Sequence, residues 1–184
     1  MHEMRYMKIK TVLIATVVTF ALILIGSVNG NALGSTQQDN NRYSLVAIWG
    51  TEGTGDGEFA EPHGVAVDSS DNVYVVDTKN FRVQKLTSDG KFIKQWGSEG
   101  TGDGEFDRTH GIAIDSADNV YLSDMGNFRV QKFDSNGNFI TKWGSEGTGE
   151  GQFNIPEGID IDSSGNVYVA DTHNSRIQKF AIVK

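Results

Sequence analysis

The chain has 184 residues, enough for one modest domain, and 38% of them are hydrophobic, which is adequate for a core. It contains no cysteine, which excludes disulfide stapling and thiol nucleophiles and leaves the redox compartment open. Net charge is −8; without the first 30 residues, which hold Arg5, Lys8 and Lys10 against Glu3, 13 basic residues face 23 acidic ones, and a body at −10 repels phosphate backbones and disfavours nucleic-acid binding.

Residues 1–10 are short and basic, and residues 11–28 (TVLIATVVTFALILIGSV) carry no charge. A positive segment followed by an apolar run is the layout of a secretory signal. Cleavage is expected after Val28-Asn29-Gly30 or Gly30-Asn31-Ala32. Without cleavage, the run sits at the lower limit for a spanning helix, about 17 to 25 residues. Residues 1–30 are therefore expected to form an apolar helix, acting as signal peptide or signal anchor. The membrane is then met only through residues 11–28, and the rest of the chain is extracytoplasmic. Residues 31–42 are small and polar, the composition of a flexible linker.

From residue 43 onward the chain repeats. Trp49, Trp96 and Trp143 are spaced 47 residues apart, each opening a Trp-Gly, Glu-Gly-Thr-Gly, acid, Gly phrase, and the first two units agree at 30 of 47 positions. A period of about 40 to 50 residues rich in short β patterns points to propeller blades. The units are residues 49–95, 96–142 and 143–184.

Within the first unit, residues 64–68 (GVAVD) form a short apolar run ended by Ser69-Ser70-Asp71-Asn72, residues that favour turns by local hydrogen bonding. Residues 73–76 (VYVV) have the composition of a buried strand. Residues 77–81 break the run, 82–86 (RVQKL) alternate, Ser88-Asp89-Gly90 make a tight turn, and 91–96 (KFIKQW) form a more polar fourth strand. Four antiparallel strands, the most apolar innermost, make one blade. The order Gly-x-Phe, x-Pro-x-Gly, Val-x-Asp, Asn-Val-Tyr-Val, Asp-x-x-Asn-x-Arg-Val-Gln resembles the NHL repeat, over residues 57–84, 104–131 and 151–178. The resemblance covers residues 43–184 and implies an all-β propeller, in that family usually of six blades. Thr109 stands where Pro62 and Pro156 do, a departure expected to loosen that turn slightly.

Residues 43–49 (YSLVAIW) align with the fourth strands, and the third unit reaches only its third strand, 176–180. The expected tally is one leading strand, four, four and three, or three blades. Three blades do not close alone, since propellers run to about four to eight. The expectation is a homodimer forming one six-bladed ring, each leading strand completing its partner's last blade; pairing with another NHL protein is the alternative.

In a propeller the loops entering the first strand and joining the second and third strands share a face. That face is expected to collect His63, His110 and Glu157, Asp77, Asp124 and Asp171, Arg82, Arg129 and Arg176, with Lys79 and His173 marking differences between blades. The Asp-x-x-Asn-x-Arg pattern also reads structurally, the acid capping its turn and the arginine pairing with it. Histidines from neighbouring blades converging near a channel can bind zinc. The peptide-amidating lyases, similar to NHL propellers, use such histidines, which makes His63, His110 and Glu157 candidate metal ligands. Glu157 departs from that all-histidine pattern, and neither the lyase base nor its substrate clamp has a match. A solvated ring of polar residues is the simpler reading.

Gly53-Thr54-Gly55-Asp56-Gly57 superficially suggests a phosphate loop or a calcium-binding nonapeptide. No helix pattern follows the acidic loop, and the period is 47 residues, so connector chemistry explains it. RNA binding, known for some animal NHL proteins, needs a basic face that Lys79, Arg82 and Lys85 do not make amid this acid. The expected function is an exported module binding a protein or a surface polymer, without catalytic residues or a required cofactor. The alternative is a metal-dependent lyase or hydrolase with its site at the channel mouth.

Overall fold

The computed structural model describes residues 42–182. The chain divides between Tyr43 and Ser44 into two units, and the second holds every element described below. The elements are β1 (Pro62–Val67), β2 (Val73–Asp77), β3 (Arg82–Leu86), β4 (Phe92–Trp96), β5 (Thr109–Ile114), β6 (Val120–Asp124), β7 (Arg129–Phe133), β8 (Phe139–Trp143), β9 (Pro156–Ile161), β10 (Val167–Asp171) and β11 (Arg176–Phe180). They form three antiparallel sheets: β1 to β4 and β5 to β8 with four strands each, and β9 to β11 with three.

The turns follow from local chemistry. After β1, the Asp68 carboxylate accepts the N–H groups of Ser70 and Asn72, both at 2.9 Å. Asp71, Asp118 and Gly165 then supply the positive φ, 63°, 60° and 81°, that reverses the chain. Between the second and third strands a 3₁₀ turn (Thr78–Asn80, Met125–Asn127 or Thr172–Asn174) ends on a left-handed residue, Phe81, Phe128 or Ser175.

The inner strands lie side by side, β1 against β5 and β5 against β9. Glycine is required there: a Cβ on Gly64 would come within 2.3 Å of the His110 carbonyl oxygen, and one on Gly111 within 2.2 Å of that of Glu157. The core consists of two layers between consecutive blades. In the first, Tyr74, Val76 and Val83 meet Ile112, Val120, Leu122 and Phe133; in the second, Tyr121 and Val130 meet Phe153, Val167 and Val169. Trp96 packs edge-on to Tyr74 and tilted on Phe133, and Trp143 repeats this between Tyr121 and Phe180.

Two expectations are revised. The first strand opens at Pro62 rather than residue 64, and Thr109 pairs with Asp124 as Pro62 pairs with Asp77, so the exchange leaves the strand entry in place. Residues 43–49 are not a strand, because a strand exists only against a hydrogen-bonding partner and none adjoins them; the described strands number eleven, not twelve. The expected N-terminal apolar helix falls outside the described residues, among which no helix is long and apolar enough to cross a membrane. As the third unit's length implies, the third blade has three strands, and the three described blades form an open arc.

Candidate functional site

The Asp-x-x-Asn-x-Arg pattern builds the framework beneath the loop face. Asp77, buried, accepts the Ala60 N–H at 2.7 Å, the Asn80 amide at 2.9 Å, the Arg82 Nε–H at 2.7 Å and the Gln84 amide at 3.2 Å. Arg82 also donates to the carbonyls of Thr54, Gly55 and Glu58, which ties the glycine-rich connector to its blade. Asp124 with Arg129 and Asp171 with Arg176 repeat the arrangement. Asp77, Asp124, Asp171, Arg82 and Arg129 are thus buried and engaged internally rather than offered to a ligand, while Arg176 is partly exposed at the open end. Burial pushes the Asp124 carboxyl up, since blades cover it on both sides. At Asp171 burial acts in the same sense, but the donors from Asn154, Asn174 and Arg176 outweigh it and hold the carboxyl below its ordinary value.

The surface above this framework comes from the loop entering each inner strand and the 3₁₀ turn. The two are joined by backbone bonds: the N–H groups of Lys79, Gly126 and His173 donate to the carbonyls of Ala60, Asp107 and Asn154. Here the blades differ most. Residues 60–63 read Ala-Glu-Pro-His, then Asp-Arg-Thr-His, then Asn-Ile-Pro-Glu, and Lys79 is replaced by Gly126 and His173. Glu61, Arg108 and Ile155 all adopt φ between 50° and 58°. For a β-branched residue such as Ile155 this conformation is strained, at roughly 1 to 3 kcal/mol. On the first blade Lys79 pairs with Glu61 at 2.5 Å; on the second Arg108 approaches Asp107 at 3.4 Å.

His63 and His110 come together as a parallel stack, with ring centroids 4.1 Å apart and planes within 9°. His63 Nδ1 lies 3.0 Å from both the Glu61 carbonyl and Thr78 Oγ1, and the Thr78 hydroxyl already donates to the Thr109 carbonyl at 2.7 Å. Both neighbours of Nδ1 are therefore acceptors, which places the proton on Nδ1 and leaves Nε2 free. Burial, then the adjacent His63, lower the His110 pKa against the opposing pull of Glu157. The Glu157 carboxylate turns to the Thr172 hydroxyl at 3.1 Å. Within one chain the three candidates do not converge on a common point: the in-plane lone pairs of the stacked rings lie in parallel planes, and among the described residues no three His, Asp or Glu side chains are grouped to hold an ion.

The NHL repeat model matches at residues 59–86, 106–133 and 153–180, one match per blade. The chain carries three NHL repeats. Over 50 residues it is 44% identical to Protein lin-41 of Caenorhabditis elegans, a match covering 27% of this chain and 4% of that protein. Among solved structures it is similar to a structural-genomics protein of unknown function from Bacteroides thetaiotaomicron VPI-5482, with TM-score 0.57 and 23% identity over 65% of this chain and 34% of the other. An auxiliary nutrient binding protein from the same organism gives TM-score 0.54 and 18% identity over 68% and 38% of the two chains. A streptogramin B lyase gives 0.51 and 14% over 67% and 41%. At these identities the likeness concerns the β-propeller fold, and the NHL chain spans well under half of each relative.

Two features of the site went unread in the sequence. Thr78 and Ser123 join neighbouring blades by donating to the Thr109 and Glu157 carbonyls, at 2.7 and 2.6 Å. On the opposite side, each blade carries an acid, tyrosine and lysine group: Tyr74 and Tyr121 donate to Asp68 and Asp115, both at 3.0 Å, with Lys85 and Lys132 over the rings. The second was detectable as Asp, Tyr and Lys at fixed offsets in all three units; the first was not, because position 78 varies among Thr, Met and Thr, and position 76 among Val, Ser and Ala.

Proposed function

We propose that this NHL protein is an exported binding module that holds a protein or a surface polymer on the loop face around His63, His110, Glu157, Lys79 and His173. One observation carries the reading: the framework of Asp, Asn, Arg and Gln is identical in the three blades, whereas residues 60–63 and 79, directly above it, differ from blade to blade. A rigid scaffold presenting varied, strained loops is the usual arrangement for recognition. The nutrient-binding relative agrees with a binding role and adds only the fold to the argument.

The test is binding of the full-length chain to arrays of soluble polysaccharides and of peptides. Retention is expected to be lost in a His63→Ala, Lys79→Ala, His110→Ala variant with an unchanged unfolding curve, and kept in Lys91→Ala on the distant hairpin. Retention indifferent to the triple change would overturn the reading.

The lyase or hydrolase alternative draws on the free Nε2 of His63 beside His110. Zinc measured after dialysis separates the two: stoichiometric zinc that disappears in His63→Ala with His110→Ala puts the enzyme first, and folded metal-free protein removes it in this form.

A further inference from the structure

The two ends of the arc carry complementary halves of one blade-to-blade interface. At the third blade, Ile177 on β11 is 66% exposed, whereas its equivalents Val83 and Val130, each opposite a fourth-strand tryptophan, are 0% exposed. Beside it opens a cleft of about 550 Å³ lined by Tyr121, Trp143, Val167 and Phe180. In the second blade the corresponding space is filled by Phe139 of the fourth strand, which stands edge-on to Phe133.

At the first blade, Val65 is 64% exposed where its equivalent Ile112 is 9%. Residues 44–48 lie free, yet Trp49 sits against Gly90, where an added Cβ would come within 2.5 Å of the indole, just as Gly137 abuts Trp96. Trp49 thus occupies the place of the tryptophan ending the fourth strand of a preceding blade. Among the described residues no strand pairs with 44–49, and β11 has β10 on one side only.

Two further positions match. Gly64 and Gly111 are pressed against the carbonyls of the next inner strand, but a Cβ on Gly158 would meet nothing closer than Ala170 at 3.5 Å. Ser69 donates its N–H and hydroxyl to Asp118 of the next blade, at 2.9 and 2.7 Å. On the third blade the equivalent Ser163 faces no next blade, and on the first blade Asp71, the equivalent of Asp118, is exposed with no preceding serine.

We propose that two copies of this chain join head to tail into one closed six-bladed ring, residues 45–49 of each becoming the fourth strand on β11 of the other. Two sets of the three described blades make six, a count within about four to eight blades, with two identical interfaces about a two-fold axis. Carrying the β3–β4 register across the 47-residue repeat sets Ile177 opposite Trp49, Gln178 opposite Ile48, Lys179 opposite Ala47 and Phe180 opposite Leu45 of the second copy. Leu45 fills the cleft, Gly158 receives the His63 carbonyl, and Ser163 donates to Asp71. The loop face is completed only then, because Glu157 of each copy comes to lie beside His63 of the other, in a ring of four histidines and two glutamates.

The absence of cysteine makes the register directly testable in the full-length chain. Cross-strand neighbours are close enough for a disulfide with small adjustment. Mild oxidation of an Ala47→Cys, Lys179→Cys variant is expected to give a reducible covalent dimer at least tenfold in excess of that from Ile48→Cys, Lys179→Cys, whose thiols sit on opposite faces. Sedimentation of the unmodified chain is expected to give the mass of two copies. A well-folded monomer, a disulfide closed within one chain, or a dimer without the 47–179 cross-link would overturn the proposal; the last would place association in another segment.

Discussion

Arg129 donates its Nε–H to Asp124 at 2.7 Å with both side chains buried, and the rest of its guanidinium binds the carbonyls of Thr101, Gly102 and Glu105. One arginine therefore neutralises a buried acid and anchors the connector between blades. Arg129→Ala leaves the buried acid without its cation and the Thr101 carbonyl without its donor, and takes one of two donors from the Gly102 and Glu105 carbonyls, and is expected to destabilise by about 3 to 5 kcal/mol. Arg176→Ala, at the open end where the side chain of the separate chain is 30% exposed, is expected to cost less at concentrations where the protein sediments as one chain. Urea denaturation of the two variants checks the order; equal losses would refute it.

This pairing was legible in the sequence because Asp, Asn and Arg recur at fixed offsets in every unit, and a bond made three times within one chain leaves a periodic trace. The blade strands were legible for the same reason. What escaped was whatever joins one blade to the next through an unrepeated residue, such as Ser123 donating to the Glu157 carbonyl. The sequence also placed the aspartates and arginines on the ligand face, since topology sets the loop they belong to, while burial of the carboxylate is decided by three-dimensional packing. The stacking of His63 on His110 depends on blade spacing, which no local pattern encodes.

The hairpin carboxylates are expected to control acid stability. Asp162 is held down to about 2 by the side chain and N–H of Asn166. Burial pushes the Asp115 carboxyl up, but the donors from Asn119 and Ala117 outweigh it and leave it below its ordinary value. Because both folded values lie below the unfolded value near 3.9, their contribution is present above about pH 4 and is lost as pH falls through the folded values. Denaturation midpoints are expected to fall below about pH 4, and less steeply in Asp162→Asn. An unchanged acid limb in that variant would exclude the mechanism.

His110 adds a phase nearer neutrality. Its pKa is lowered chiefly by burial, so the folded state binds the proton less well than the unfolded chain, and stability is lost as pH drops below about 6.5. His110→Asn is expected to remove that phase. A proton NMR titration placing the His110 midpoint at or above 6.5 would contradict the assignment.

Three equivalent glycines separate folding of a blade from joining of blades. A methyl group on Gly64 or Gly111 enters the carbonyl of the next inner strand at 2.3 or 2.2 Å, and backbone on both sides leaves little room to yield. Gly64→Ala and Gly111→Ala are therefore expected to unfold at lower urea than the parent. Gly158→Ala meets only Ala170 at 3.5 Å, an ordinary contact, so the separate chain is expected to tolerate it. In the closed ring Gly158 takes the place of Gly64, and the same methyl then strikes the His63 carbonyl of the second copy. The variant is expected to keep its circular dichroism spectrum and sediment as one chain where the parent sediments as two. If Gly158→Ala sediments with the parent's two-chain mass, the inner strands of the two copies do not meet there; if it unfolds like Gly64→Ala under conditions where the parent is one chain, the contact lies within the chain.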